Sequence, residues 1–212
     1  VIDTIPLHAR APTGIAVGGR AVWVADSGSG QVFWINPRDT GAVQKISVGQ
    51  GPGPIAVGAG AAWVVNTTDA TLQRIDASSY KASPPIAVGG SPSAVAVGGG
   101  WVWVTESASS SVVKIDPKTL QIVGRLHVGN DPVAVTYGGG KVWVANADDG
   151  TVTRLDPSTQ EEQPIPVGRE PSGVSYADDT VWVTTLAGVV SIDTSLRVSS
   201  TSTGSTPLAS TR

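Results

Sequence analysis

Apolar and polar positions along the chain fall into short runs that keep a fixed order. In residues 92–129 the order begins with Ala94-Val95-Ala96-Val97, the triplet Gly98-Gly99-Gly100 and the run Trp101-Val102-Trp103-Val104-Thr105. A serine-rich stretch from Ser107 to Ser111 follows, then Val112-Val113-Lys114-Ile115, the pair Asp116-Pro117 and the segment Ile122 to Val128. Short runs rich in β-branched and aromatic residues, bounded by turn residues, predict strands. The glycine triplet predicts a tight hairpin, because glycine takes positive φ at no steric cost. Asp-Pro predicts a second turn. No stretch holds a 3.6-residue apolar period long enough for a helix, so the segment reads as four antiparallel strands.

The segment recurs. Trp23, Trp63, Trp103, Trp143 and Trp182 stand 40, 40, 40 and 39 residues apart. Pro12, Pro52, Pro92, Pro132 and Pro171 keep the same step to within one residue, and the pairs Ile35-Asn36, Ile75-Asp76, Ile115-Asp116 and Leu155-Asp156 keep it too, with Ile192-Asp193 following after 37 residues. Four strands per repeat of about 40 residues predict an all-β fold, a β-propeller of about five four-stranded blades. With 26 glycines and 15 prolines, paired-helix repeats are excluded. The first strand of each copy is made of small residues (Ile15-Ala16-Val17, Ile55-Ala56-Val57, Ala94-Val95-Ala96), which suits inner strands converging on an axis. The tryptophan strand is apolar almost throughout, as expected of a sheet covered on both faces. Each indole buries on the order of 150–250 Å², a gross gain of about 4–6 kcal/mol per ring, opposed by the ordering of a glycine-rich backbone. The five periodic tryptophans therefore read as core.

The copies lie near 12–49, 52–89, 92–129, 132–168 and 171–198. Asp3 to His8 aligns with the outer, fourth strand of a copy. Residues 1–11 are thus expected to complete the last blade, with Ile2–Leu7 pairing beside Val189–Ile192 and closing a five-bladed ring. The rival is a fragment or strand-swapped ring, because Pro207-Leu208-Ala209 resembles the start of another copy. A single propeller domain is placed at 1–198, and 199–212 reads as a Ser/Thr-rich tail or the start of a truncated further repeat.

Composition narrows the function classes. The net charge is -3, from 14 basic and 17 acidic residues, and no basic stripe exists for a nucleic acid. No run of 18 apolar residues is present to insert in a membrane. The absence of methionine points to a chain cut from something longer. The absence of cysteine removes disulfides, thiol catalysis and thiolate metal sites. Ser-, Thr- and Gly-rich loops and a charged fraction of 15% fit an extracellular or cell-surface domain.

Strand order locates the candidate site. Inter-blade loops and the loops after each tryptophan strand share one face, around the mouth of the central channel. Three residues beyond each periodic tryptophan stand Asp26, Asn66, Glu106, Asn146 and Thr185, a polar ring near that mouth. The inter-blade loops add Arg10, Asn130, Asp131, Arg169 and Glu170, which vary between copies where the shared positions serve folding. The candidate ligand-binding set is Arg10, Asp26, Asn66, Glu106, Asn130, Asp131, Asn146, Arg169 and Glu170. The competing role for Asp26, Asn66 and Asn146 is local, bonding the amides of nearby loops; Glu106 is longer and a poorer local cap.

A second candidate is a partner-binding surface at Phe33 and Trp34. Trp34 fills a slot held by Arg74, Lys114, Arg154 and Ser191 in the other copies, which reads as solvent-facing. Catalysis finds little support. His8 and His127 fall on outer strands, so no base stands beside a nucleophile on the channel face. No His or Cys cluster suits a metal, and Asp148-Asp149-Gly150 and Asp178-Asp179 read as turns rather than calcium ligands. No catalytic residue, metal ligand or cofactor is assigned.

Pro12-Thr13-Gly14-Ile15-Ala16-Val17, Val22-Trp23-Val24-Ala25-Asp26 and Val32-Phe33-Trp34-Ile35-Asn36-Pro37 resemble the repeats of the YVTN and NHL propeller families and of streptogramin lyase. Trp103-Val104-Thr105-Glu106 looks like the Trp-Phe-Thr-Glu of the lyase repeat. The YVTN and NHL likeness implies surface proteins, sensors and scaffolds. The lyase likeness implies channel histidines and a magnesium ion, yet the segments after the turn prolines carry no histidine. The expected function is a non-catalytic recognition domain that binds a protein or small molecule on the channel-mouth face, as the sensor part of a larger exported protein. The alternatives are a lyase-like or hydrolytic enzyme using Glu106 and a divalent metal, and a structural or oligomerising module using Trp34.

Overall fold

Five antiparallel sheets follow one another along the chain in a computed structural model that describes residues 4–194. The first blade is β1 (Pro12–Gly18), β2 (Ala21–Asp26), β3 (Gln31–Asn36) and β4 (Asp39–Ser47). The second is β5 (Pro52–Gly58), β6 (Ala61–Asn66), β7 (Thr71–Asp76) and an outer strand split into β8 (Lys81–Ala82) and β9 (Ile86–Ala87), both paired to β7. Pro84-Pro85 stands in the break, where the missing N–H groups cannot extend a ladder. The third is β10 (Pro92–Gly98), β11 (Trp101–Glu106), β12 (Ser111–Ile115) and β13 (Ile122–His127). The fourth is β14 (Pro132–Gly138), β15 (Lys141–Asn146), β16 (Thr151–Leu155) and β17 (Glu162–Pro166), and the fifth is β18 (Gly173–Ala177), β19 (Thr180–Thr185) and β20 (Gly188–Asp193). The fold is an all-β propeller architecture of five blades.

Local chemistry sets each blade. The hairpin joining the first two strands has positive φ at both central residues, as at Gly99 (64°) and Gly100 (84°). Two such residues match the right-handed twist of the flanking strands. The third and fourth strands of the first four blades are joined by a turn in which Asn36, Asp76, Asp116 or Asp156 accepts the amide two residues on. Asp156 also accepts from the Lys141 ammonium, and that bond, with the amides of Ser158 and Thr159, holds its carboxyl at about 2 against an ordinary 3.8. A depressed carboxyl contributes stability that is complete above the ordinary value and is lost as pH falls through the folded one. The melting temperature is therefore expected to fall between pH 3.8 and about 2, and to fall less over that window in Lys141→Met. Thermal unfolding against pH reads the difference; equal slopes would remove Lys141 as the cause.

The core sits between blades. Each indole lies opposite a small residue of the inner strand, with Trp23 facing Ala16, Trp63 facing Ala56 and Trp103 facing Ala96. The ring then packs on the following blade: Trp23 with Ala62 and Val64, Trp103 with Val142 and Val144, Trp143 with Val181 and Val183. Its Nε1 donates back to the hairpin carbonyl of its own blade, at 3.1 Å for Trp63, Trp103 and Trp143. Inner strands approach so closely that a Cβ on Gly138 would lie 2.0 Å from the Tyr176 ring of the next blade.

Among the described residues the expected closure is not formed. β20 pairs with β19 alone, and the described part of the N-terminal segment makes no strand. Val1 to Asp3 lie outside the described residues, as does the stretch at 199–212. Pro6 offers no ladder donor and His8 takes a φ of 52°, so the segment does not run as an extended strand. Trp182 differs from the other four periodic indoles for the same reason. It is 48% exposed, where Trp23, Trp63, Trp103 and Trp143 are at most 2%, because among the described residues neither a sixth sheet nor the first blade covers it.

Candidate functional site

The loop after each tryptophan strand is tied to the inter-blade loop before it by one repeated backbone bond. Ser27 donates to the Ala11 carbonyl, Thr67 to Gly51, Ser107 to Ser91, Ala147 to Asp131 and Leu186 to Arg169, all at 2.9–3.0 Å. The predicted channel-mouth loops therefore do share one face. Asp26, Asn66, Glu106 and Asn146 stand at equivalent ends of β2, β6, β11 and β15, and all four are buried. Their polar atoms face inward.

Asp26 accepts the amides of Arg10 and Ala11 and the Ser29 hydroxyl. Burial pushes its carboxyl up, but the bonds from Ser29, Arg10, Ala11 and Gly28 together outweigh that and hold it below the ordinary value. Asn66 and Asn146 donate to Gln73 and Thr153 at 2.9 and 2.8 Å. In those two blades the carboxylate that grips the loop is three residues later: Asp69 accepts the Gln50 amide and Asp149 the Asn130 amide, both at 2.7 Å. Of these two, the sequence reading includes only Asp149, as part of the Asp148-Asp149-Gly150 turn. The signal was present as an exchange between two positions, Asp26 with Ser29 and Glu106 with Ser109 against Asn66 with Asp69 and Asn146 with Asp149.

Glu106 is 1% exposed. It accepts from the Arg125 guanidinium and from the hydroxyls of Ser109 and Ser111. A Cβ on Gly89, which has a φ of 113°, would lie 2.2 Å from its Oε1. Four groups thus surround this carboxylate, and no ligand reaches it in this arrangement. The four buried ring residues thus make internal bonds where ligand contacts were expected: Asp26 clamps a loop, Asn66 and Asn146 brace the neighbouring strand, and Glu106 is held by Arg125 and two serines.

Phe33 and Trp34 are likewise not a free surface. Phe33 is 1% exposed, with the Lys45 ammonium 5.7 Å from its ring centre. Trp34 lies opposite Trp23 and meets Tyr80 of the second blade edge-on, with ring centres 5.1 Å apart. The slot that it shares with Arg74, Lys114 and Arg154 is half-buried, not a free solvent-facing surface. Lys114 sits 4.2 Å from the Trp101 ring centre and donates to the Pro157 carbonyl of the following blade at 2.9 Å, and Arg154 stands over Trp143. Cations there cover indoles.

What remains accessible are the loop tips. Ser107, Ser110, Asn130, Asp131, Asp148 and Asp149 line an open cleft of about 500 Å³. Asp148, Asp149, Gly168, Arg169 and Glu170 line a second cleft of about 500 Å³ beside it. The structure thus brings Asn130 and Asp131 together with Asp148-Asp149, and Arg169 and Glu170 with the same pair. Arg10 belongs to the loop before the first blade and lines neither cleft. Arg169 and Glu170 are 3.8 Å apart and well exposed, so this pair adds little stability.

Solved structures share this architecture. A catalytically inactive virginiamycin B lyase from Staphylococcus aureus with quinupristin superposes with a TM-score of 0.72 at 18% identity, over 85% of this chain and 64% of the lyase chain. A streptogramin B lyase gives 0.73 at 18% identity, over 84% of this chain and 63% of its own. Hydrazine synthase from Kuenenia stuttgartiensis gives 0.72 at 18% identity, over 82% of this chain and 55% of its own. No protein-family model matches the sequence, and no curated protein does. The chain thus spans less than two thirds of the length of these neighbours, and what is shared is the fold. The magnesium implied by the lyase resemblance does not fit the residues here. Both oxygens of Asp26 and the Oε2 of Glu106 are taken up by amides, hydroxyls and a guanidinium, and the described residues hold no cluster of three or more His, Asp or Glu that could converge on a metal.

Proposed function

We propose that this chain is a non-catalytic recognition domain, the sensing part of a larger exported or surface protein, and that it binds a polar ligand carrying cationic groups at the paired clefts over the third to fifth blades. The observation that carries the reading is the division of labour at the loop face. Buried carboxylates and amides hold the loops, while Asp131, Asp148 and Glu170 are left at the rim of the adjoining clefts. Held loops on a rigid scaffold lower the ordering cost of binding, and carboxylates around a concave surface draw cations. The variation of these tips between copies gives each cleft its own chemistry. Glu106 does not support the hydrolytic alternative, since its carboxylate is buried and its Oε2 already accepts from Arg125, Ser109 and Ser111.

A peptide array scanned with the labelled 212-residue chain tests the proposal. Lys- and Arg-containing peptides are expected to be retained, more weakly as salt rises. The quadruple variant Asp131→Ala, Asp148→Ala, Arg169→Ala, Glu170→Ala is expected to lose them at unchanged melting temperature. Retention by that variant, or retention indifferent to salt, would place recognition elsewhere.

A further inference from the structure

Four joints between successive blades are built alike. One blade offers its indole and the glycine at the end of its inner strand, and the next offers two apolar residues of its own inner strand. At the first joint Val57 comes within 2.6 Å of where a Cβ on Gly18 would stand; at the second Val97 does the same to Gly58. The two outermost faces are the unmatched halves of this joint. On the first blade Ile15 and Val17, the counterparts of Ile55 and Val57, are 69% and 77% exposed. On the fifth blade Trp182, the counterpart of the buried Trp143, is 48% exposed, with Val189 beside it at 66%. These two blades form no such joint with each other among the described residues.

The halves are complementary in charge as well. Neighbouring hairpins lie level, since a Cβ on Gly139 would meet the Tyr176 hydroxyl of the next blade at 3.0 Å. The hairpin of the first blade carries Arg20, and that of the fifth carries Asp178 and Asp179. A head-to-tail joint sets Arg20 against those carboxylates.

We propose that these faces dock on each other between two copies of this chain, Ile15 and Val17 of one copy covering Trp182 of the next. The contact is heterologous, so each copy keeps one half open after pairing, and growth beyond a dimer follows unless the arrangement closes. The indole, set among aliphatic residues, is the anchor.

Sedimentation velocity on the purified chain, across a dilution series, tests this. The wild type is expected to associate with rising concentration, and Val17→Asp and Trp182→Asp are each expected to remain single chains. Their equimolar mixture is expected to form a dimer that grows no further, because each variant retains the half that the other has lost. Ile15→Asp serves as a second first-blade variant, and far-UV circular dichroism confirms that every variant keeps its strands. A wild type that stays single at all concentrations overturns the proposal. So does association that survives both substitutions, and so does a mixture that stays single.

Discussion

Trp103→Ala is expected to cost about 3–5 kcal/mol of folding stability, while Trp182→Ala, the same substitution at the end of the series, is expected to cost a small fraction of that. Trp103 has no exposed surface, packs with Val135, Val142 and Val144 of the fourth blade, and returns a hydrogen bond of 3.1 Å to the Gly98 carbonyl. Its removal leaves a cavity between two rigid sheets that cannot collapse without moving a whole blade. Trp182 has no blade beyond it and is 48% exposed, so its loss opens no cavity. Urea unfolding of both variants, at a concentration where the chains are single, gives the two costs. Because stability in a stacked array is a sum of repeat and neighbour terms, the Trp103 variant is also expected to unfold in two steps, the blades on either side of the broken joint parting company. Equal costs for the two variants would mean that the fifth blade is covered in solution, and would contradict the open arc.

That contrast marks where the sequence was legible and where it was not. The 40-residue step, the hairpin glycines and the Asn or Asp turns are local signals, and each appears in the structure where it was read. Closure depends on whether two blades far apart in sequence meet, and nothing local in Ile2–Leu7 reports on that. The ring of Asp26, Asn66, Glu106 and Asn146 stands on the expected face, yet its polar groups are turned inward: Asp26 accepts loop amides, Asn66 and Asn146 donate to side chains of the next strand, and Glu106 is held by Arg125 and two serines. The clue lay in a pairwise exchange: each of the first four blades puts one carboxylate at either the ring position or three residues later, with Asn or Ser at the other. Trp34 was misread because a slot filled by Arg and Lys looked solvated. In the structure those cations lie over indoles of the blade joint, so polarity in sequence did not mean exposure.

Glu106 is the place where this trade is most exposed to test. Its carboxylate is buried, whereas the guanidinium of Arg125 that pairs with it is 45% exposed. The two partners are therefore not equivalent. Arg125→Ala leaves a charged, desolvated carboxylate with only the Ser109 and Ser111 hydroxyls for company, and an uncompensated buried charge costs about 3–5 kcal/mol. Glu106→Gln keeps the shape and still accepts the two hydroxyls, while Arg125 can turn to water. The neutral substitution at the buried position is thus expected to cost less than the removal of its half-exposed partner. The double variant Glu106→Gln, Arg125→Ala should recover part of what Arg125→Ala loses, since no charge then remains buried. A double-mutant cycle by urea unfolding measures the coupling. If the two single costs simply add, the carboxylate is not held by Arg125, and the loop it anchors in the third blade must owe its position to the serine hydroxyls alone.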